Sequence, residues 1–127
     1  MTTDLDEIFD ALREELARYS PPLTVREGGV RGKRDYTLWS EREVEVAGRR
    51  RKELYFGGLI VQKGYVGFYY MPVDAEPERT EIFDPDLLKL LKGKSCFHVK
   101  RLDDAMREHI RSALAAGFER WQQRGWI

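Results

Sequence analysis

Residues 54–71, LYFGGLIVQKGYVGFYYM, decide the fold. The stretch holds two runs of β-branched and aromatic residues, 54–62 and 65–71, separated only by Lys63 and Gly64. Runs of this composition favour strands, and a two-residue connection that contains glycine favours a tight hairpin. A glycine pair inside the first run predicts a β-bulge or a close backbone approach. An antiparallel hairpin is therefore expected at the centre of the molecule.

The segments before this hairpin predict one helix and a meander of strands. Residues 4–19 carry an apolar stripe of helical period, Asp4 is a suitable N-cap, and Pro21 and Pro22 end the helix. Extended segments are predicted at 24–26, 36–41 and 43–46, with a turn at 47–49. Because no crossover helix separates these strands, the sheet is expected to be antiparallel.

The segments after the hairpin add two helices and one strand. Residues 71–80 are predicted as a surface loop, and residues 84–91 as a short helix that Gly93 ends. A strand follows at 95–100, and a long amphipathic helix begins at Asp103 or Asp104.

This order of elements predicts a single domain over residues 1–127. Its expected class is α+β, in two layers, with an antiparallel sheet of about five to six strands and the N- and C-terminal helices packed on one face. The helix residues expected to be buried against that face are Phe9, Leu12, Leu16, Ile110, Leu114 and Trp121.

Composition limits the class of protein. The chain of 127 residues has 22 Lys and Arg against 22 Asp and Glu, so its net charge is zero, which makes a dedicated nucleic-acid partner unlikely. No apolar run approaches the ~20 residues of a membrane-spanning helix, so no membrane partner is expected. The acidic N-terminus differs from a signal peptide, and the single cysteine, Cys96, suits a reducing compartment. A cytoplasmic location is therefore predicted.

Two segments resemble a known family. Residues 93–103, GKSCFHVKRLD, followed by a long helix, and residues 65–72, YVGFYYMP, are similar to the YdhG-like family, which is described as a domain of unknown function. The resemblance extends from about Tyr55 to the C-terminus. It implies a frataxin-like α+β fold and a small binding or carrier domain, since some members are regarded as iron chaperones. It implies no catalytic residues.

The first helix offers a candidate metal site for that implied role. Asp6, Asp10 and Glu14 recur every four residues and so share one exposed stripe. Carboxylate oxygens are the ligands that hard cations prefer, so iron is a possible cargo. The alternative interpretation is a solvated helix face whose acids interact favourably with the helix dipole.

A second candidate site lies on the sheet. Cys96 and His98 alternate with Phe97 and Val99, and in the hairpin strand Tyr69 alternates with equally large neighbours. If the helices cover one face only, the other face keeps aromatic side chains that a loop, a partner or a ligand must cover. We predict a sheet-face site at Cys96, His98 and Tyr69. Because alternate strand residues are ~7 Å apart, Cys96 and His98 are not expected to form a catalytic pair, and no enzyme is predicted.

Residues 49–52, RRRK, form the strongest charge run. Cations on a hairpin can contact phosphates, although they also protect sheet edges from pairing with other chains. An alternative function is therefore a protein-interaction module that uses this basic hairpin or the uncovered sheet face.

Overall fold

The computed structural model describes residues 1–75 and 82–127. These residues form, in chain order, α1 (Leu5–Ala17), β1 (Thr24–Glu27), β2 (Asp35–Ser40), β3 (Val44–Val46), β4 (Arg49–Arg51), β5 (Leu54–Gln62), β6 (Tyr65–Tyr70), α2 (Pro72–Ala75), α3 (Pro85–Leu88), β7 (Leu91–Lys92), β8 (Cys96–Val99) and α4 (Asp104–Gln123).

The main sheet has six antiparallel strands in the order β1-β2-β5-β6-β8-β7. Its centre is the predicted hairpin, in which Gln62 pairs with Tyr65 across the turn at Lys63 and Gly64. Strands β3 and β4 form a separate two-stranded sheet. Ala47 and Gly48, both with positive φ, make the turn between them.

The predicted α+β class is confirmed. Helices α1 and α4 contribute to one core on one face of the six-stranded sheet, where α1 packs against β5 and β6. All six helix residues expected in that core are buried, at 0–3% exposed. Asp4 caps α1 by accepting from the Glu7 amide, and Asp103 caps α4 by accepting from the Met106 amide.

The sheet and α4 meet most closely at Tyr70 and Gly117. The Tyr70 hydroxyl donates to the Ala113 carbonyl at 2.7 Å. A Cβ placed on Gly117 would lie 2.0 Å from that same hydroxyl oxygen, so glycine is what allows the approach. This contact fixes the helix against the middle of the sheet.

Two predicted boundaries were wrong. The helix expected at 84–91 ends at Leu88, and Leu91 pairs with Phe97 in the short edge strand β7. Pairing with β8 gives the backbone N–H and C=O groups of this segment hydrogen-bond partners in the sheet. The sheet therefore overrides the local helix propensity of residues 89–91. In the predicted loop at 71–80, Pro72–Ala75 are helical. The rest of that loop lies outside the described residues.

Within residues 1–75 and 82–127, every helix is too short or too polar to cross a lipid bilayer.

Candidate functional site

The face of the sheet that points away from α1 and α4 carries most of the half-exposed aromatic residues of the strands. Strand register decides which side chains share it, because Tyr69 pairs with Cys96 and Gly67 pairs with His98. Tyr69, Cys96 and His98 therefore lie on one face, as the sheet-face site requires. We call this surface the open face. Its half-buried side chains include Arg26, Thr37, Trp39, Tyr55, Ile60, Gln62, Tyr65, Tyr69, Cys96 and His98. The guanidinium of Arg26 lies 4.3 Å from the Trp39 ring.

A β-bulge places one of these aromatics. Leu38 pairs with Gly57, yet the next residue, Trp39, pairs with Tyr55, so Phe56 is an extra residue on β5. Phe56 is fully buried among the core rings. Tyr55 turns to the open face, where its ring meets that of Trp39 edge-on at 5.0 Å.

Gly58 and Gly67 lie directly beneath the rings of Tyr55 and Tyr69. A Cβ on Gly58 would lie 2.5 Å from the Tyr55 hydroxyl oxygen. A Cβ on Gly67 would lie 2.8 Å from the ring of Tyr69. The two phenol rings thus lie over bare backbone, and any larger residue at either glycine would displace them.

The polar atoms of the open face are engaged in a few short contacts. Gln62 donates to the Tyr69 hydroxyl at 3.1 Å, and the Trp39 indole N–H donates to the Thr37 hydroxyl at 3.0 Å. Burial raises the pKa of Tyr69 and, more strongly, that of Tyr55. Both phenols are therefore neutral at physiological pH, and the face offers π-surfaces and hydroxyl groups.

Cys96 is set among these groups. Its side chain is half-buried, and burial raises the pKa of its thiol, an effect that a hydrogen bond with Tyr69 partly opposes. A reactive cysteine needs a lowered pKa, so the burial that raises the pKa of Cys96 favours a packing role for it.

His98 forms the other end of the open face with Tyr65. The two rings are stacked, with centroids 3.8 Å apart and planes 10° from parallel. Both rings are half-exposed, so they offer ring surface on which a further planar group can stack.

The acids proposed for metal binding each form an ion pair with an arginine. The guanidinium of Arg34 bridges Asp6 and Asp10, with both contacts at 2.8 Å, and it also lies 4.3 Å above the ring of Phe9. Glu14 instead contacts Arg107 at 3.0 Å. Arginine already neutralises each carboxylate, so a cation at Asp6 and Asp10 would first have to displace Arg34. The metal site at Asp6, Asp10 and Glu14 stays a prediction, in which a cation would compete with these arginines.

One buried acid, Glu15, was not expected from the sequence. Glu15 is 1% exposed, and its carboxylate accepts from Arg107 at 2.7 Å and from Arg111 at 2.9 and 3.0 Å. These contacts, led by Arg111, lower the pKa of Glu15 to about 2. Its burial could have been expected from its position, because Glu15 lies three residues after Leu12 and next to Leu16 on the apolar stripe of α1. It joins α1 to α4.

One further cluster brings together Asp84, Asp86 and His109, each with one ligand atom within 4.8 Å of the others. Asp84 caps α3 by accepting from the Asp86 amide, and Asp86 pairs with Lys89 at 3.3 Å. Helix capping and an ion pair therefore account for both carboxylates.

The basic run forms strand β4 and its flank in the two-stranded sheet, and Arg51 lines a cleft together with Tyr55 and Trp126. All three arginines of β4 are exposed, and Arg50 pairs with Glu43 at 2.5 Å. The aromatic residues that follow the run in sequence, Tyr55 and Phe56, belong to the main sheet.

Comparison of this chain with protein-family models, with curated proteins and with solved structures finds no match. The resemblance to the YdhG-like family accordingly stays a prediction.

Proposed function

We propose that this chain is a small binding domain that holds a planar, ring-containing ligand on the open face of its sheet. The observation that carries the proposal is the set of half-exposed rings on β2, β5, β6 and β8 opposite the helical layer. Aromatic side chains on an uncovered sheet face present π-surfaces to which planar groups bind by stacking.

The face is suited to binding because its rings are held in place. Gly58 and Gly67 leave room for the rings of Tyr55 and Tyr69 to lie close to the backbone, Trp39 packs edge-on against Tyr55, and Gln62 donates to the Tyr69 hydroxyl. Side chains that are ordered before a ligand arrives lose little conformational entropy on binding. Tyr65 and His98, already stacked on each other, are ready to continue the stack.

A metal carrier is favoured less by this arrangement. Asp6 and Asp10 share Arg34, and Glu14 pairs with Arg107, so a cation would have to compete with arginine for every carboxylate. On the open face, Arg26 lies over the ring of Trp39 at 4.3 Å, whereas within residues 1–75 and 82–127 no lysine or arginine is stacked on Tyr65 or His98.

The test uses adenosine, a neutral planar probe, titrated into isotope-labelled protein and followed by NMR. We expect saturable shifts at Tyr65, Tyr69 and His98. Two variants of one residue supply the matched control. Tyr65→Phe keeps the ring and should keep the affinity, whereas Tyr65→Leu keeps apolar volume without the ring and should weaken binding about tenfold, as the loss of one stacking contact predicts.

Two results would contradict the proposal. One is the absence of any saturable shift on the open face. The other is equal affinity in Tyr65→Leu and the wild type, when the spectra of the variant show that it is folded.

A further inference from the structure

The net charge of zero conceals a strong separation of charge. Helix α1 and its N-cap contain six acids, whereas no Asp or Glu occurs from Leu54 to Val73 or from Leu87 to Leu102. The second of these segments holds five cations, namely Lys89, Lys92, Lys94, Lys100 and Arg101. It includes β7 and β8, so cations are concentrated at one edge of the open face.

Part of this edge encloses a cleft of about 240 Å³. Every polar side chain of its lining is basic. The lining residues are Lys89, Leu90, Lys92, His98, Lys100 and Arg101.

Most of these cations form no ion pair with the acids that the structure describes. Lys89 pairs with Asp86 at 3.3 Å. For Lys92, Lys100 and Arg101, no carboxylate oxygen of residues 1–75 and 82–127 lies within the 4.0 Å of an ion pair. Several unpaired cations around one cleft repel one another, and a bound anion relieves that repulsion.

The cleft is continuous with the aromatic surface through one residue. His98 lines the cleft and also stacks on Tyr65. Lys92 and His98 share the side of the sheet that carries Cys96, because Lys92 pairs with Cys96. A ligand whose ring extends the Tyr65–His98 stack would thus place a neighbouring charged group beside Lys92 and Lys100.

We propose that the cleft binds phosphate and that the ligand of the open face is a nucleotide, with its base against the Tyr65–His98 stack and its phosphate among Lys92, Lys100 and Arg101. This inference rests on the proposed function and adds the ligand class to it. Lysine and arginine are the side chains that bind phosphate oxygens most strongly, and aromatic rings accept bases of any sequence. The nucleotide has two sources, a free mononucleotide or a unit of a single strand.

The experiment compares four probes by calorimetry and NMR, namely adenosine, 5′-AMP, inorganic phosphate and a single-stranded oligonucleotide. We expect 5′-AMP to bind about tenfold more tightly than adenosine, with shifts at both His98 and Lys100. Inorganic phosphate should shift the cleft residues alone. Lys92→Gln combined with Lys100→Gln should remove the advantage of 5′-AMP and leave the affinity for adenosine unchanged.

Lys52→Gln is the matched control, since Lys52 is an exposed cation outside the cleft, and it should leave the affinities for adenosine, 5′-AMP and inorganic phosphate unchanged. The oligonucleotide separates the two sources. If the oligonucleotide binds more tightly than 5′-AMP, and each lysine removed lowers the number of counterions released by about one, the ligand is a single strand. If the two bind with equal affinity, the ligand is a mononucleotide.

The outcomes distinguish this inference from the proposed function. Equal affinity for 5′-AMP and adenosine overturns the phosphate cleft and leaves the open face as a ring-binding surface. Unchanged 5′-AMP binding in the double lysine variant also overturns the cleft. Absence of binding by all four probes overturns both.

Discussion

Glu15 on α1 accepts two hydrogen bonds from Arg111 on α4, at 2.9 and 3.0 Å, although 96 residues separate the two in sequence. Arg107 adds a third hydrogen bond at 2.7 Å. The carboxylate is buried, and the two guanidinium groups are at most 40% exposed. Glu15 thus connects the first helix with the last through charge as well as packing.

This connection predicts how stability depends on pH. The folded state lowers the pKa of Glu15 from 4.5 to about 2. A lowered carboxyl pKa gives stability that is complete above the unfolded value and is lost as pH falls toward the folded value. We expect the free energy of unfolding to fall by about 3 kcal/mol between pH 5 and pH 2 through this group. Urea denaturation across that range measures it.

Glu15→Gln is the corresponding variant. It should cost on the order of 3 kcal/mol at neutral pH, because it leaves the two arginines without their shared carboxylate. It should also flatten the pH dependence between pH 5 and pH 2. Glu119→Gln, an exposed acid on α4, is the control and should do neither. An unaltered pH profile in Glu15→Gln would contradict the role given to this pair.

Gly117→Ala should destabilise the protein. In an ordinary helix this change stabilises by ~0.5–1 kcal/mol, since alanine has the higher helix propensity. Here the added methyl group would lie 2.0 Å from the Tyr70 hydroxyl oxygen, inside the core. We expect a net cost of ~1–3 kcal/mol from overpacking, measured by chemical denaturation.

Tyr70→Phe tests the cause of that cost. Removing the hydroxyl removes the closest clash, so the double variant Gly117→Ala with Tyr70→Phe should be more stable than the sum of the two single changes predicts. Strict additivity, or a stabilising Gly117→Ala, would show that α4 can shift away from the sheet at little cost.

Cys96 should react slowly with thiol reagents in the native protein. Its side chain is half-buried, and burial raises the pKa of the thiol, so the thiolate is scarce at neutral pH. Labelling with a maleimide or a disulfide reagent should be fast after denaturation. Tyr69→Phe should slow native labelling further, because the Tyr69 contact opposes the rise in pKa. Fast native labelling of the wild type would instead identify Cys96 as a reactive group of the open face.

Arg34→Ala should create cation binding where the wild type has little. Asp6 and Asp10 both pair with Arg34 at 2.8 Å, and removal of the guanidinium leaves two carboxylates four residues apart on α1, of which Asp10 keeps its longer contact with Arg13 at 3.3 Å. Like charges at this spacing repel, and a divalent cation relieves the repulsion. Anaerobic titration with ferrous iron, followed by NMR broadening, should give a stronger effect in Arg34→Ala than in the wild type.

The double variant Arg34→Ala with Asp10→Asn is the control, and its broadening should return to the wild-type level. If wild-type protein instead binds ferrous iron tightly at Asp6 and Asp10, Arg34 does not occupy these acids in solution, and the carrier interpretation regains its support.

Much of the architecture could be predicted because periodicity records it directly. The stripe on α1 and the alternation of Phe97 and Val99 with Cys96 and His98 each place residues on a face without reference to the rest of the chain. The short strand β7 could not be found in this way. Leu91 follows a helical pattern, and only its pairing with Phe97, decided by the whole sheet, makes it extended.

The candidate site was predictable in part. Cys96, His98 and Tyr69 were expected on one face, but their common side depends on the register between β6 and β8, which no local pattern contains. Tyr55 was out of reach for a similar reason, since only the bulge turns it outward. The pairing of Asp10 with Arg34, 24 residues later, is equally invisible in the sequence.

The extra residue in β5 has a consequence for how this chain can change in length. On the hairpin side of Phe56, odd-numbered residues of β5 such as Leu59 face the core, whereas on the other side the odd-numbered Tyr55 faces outward. Deleting one residue at the bulge would reverse which residues at the start of β5 face the core. It would turn the Tyr55 ring toward the position that the buried Phe56 ring now fills. Chain length is therefore as strongly constrained at Phe56 as side-chain identity, whereas the exposed turn at Lys63 and Gly64 has room for an insertion.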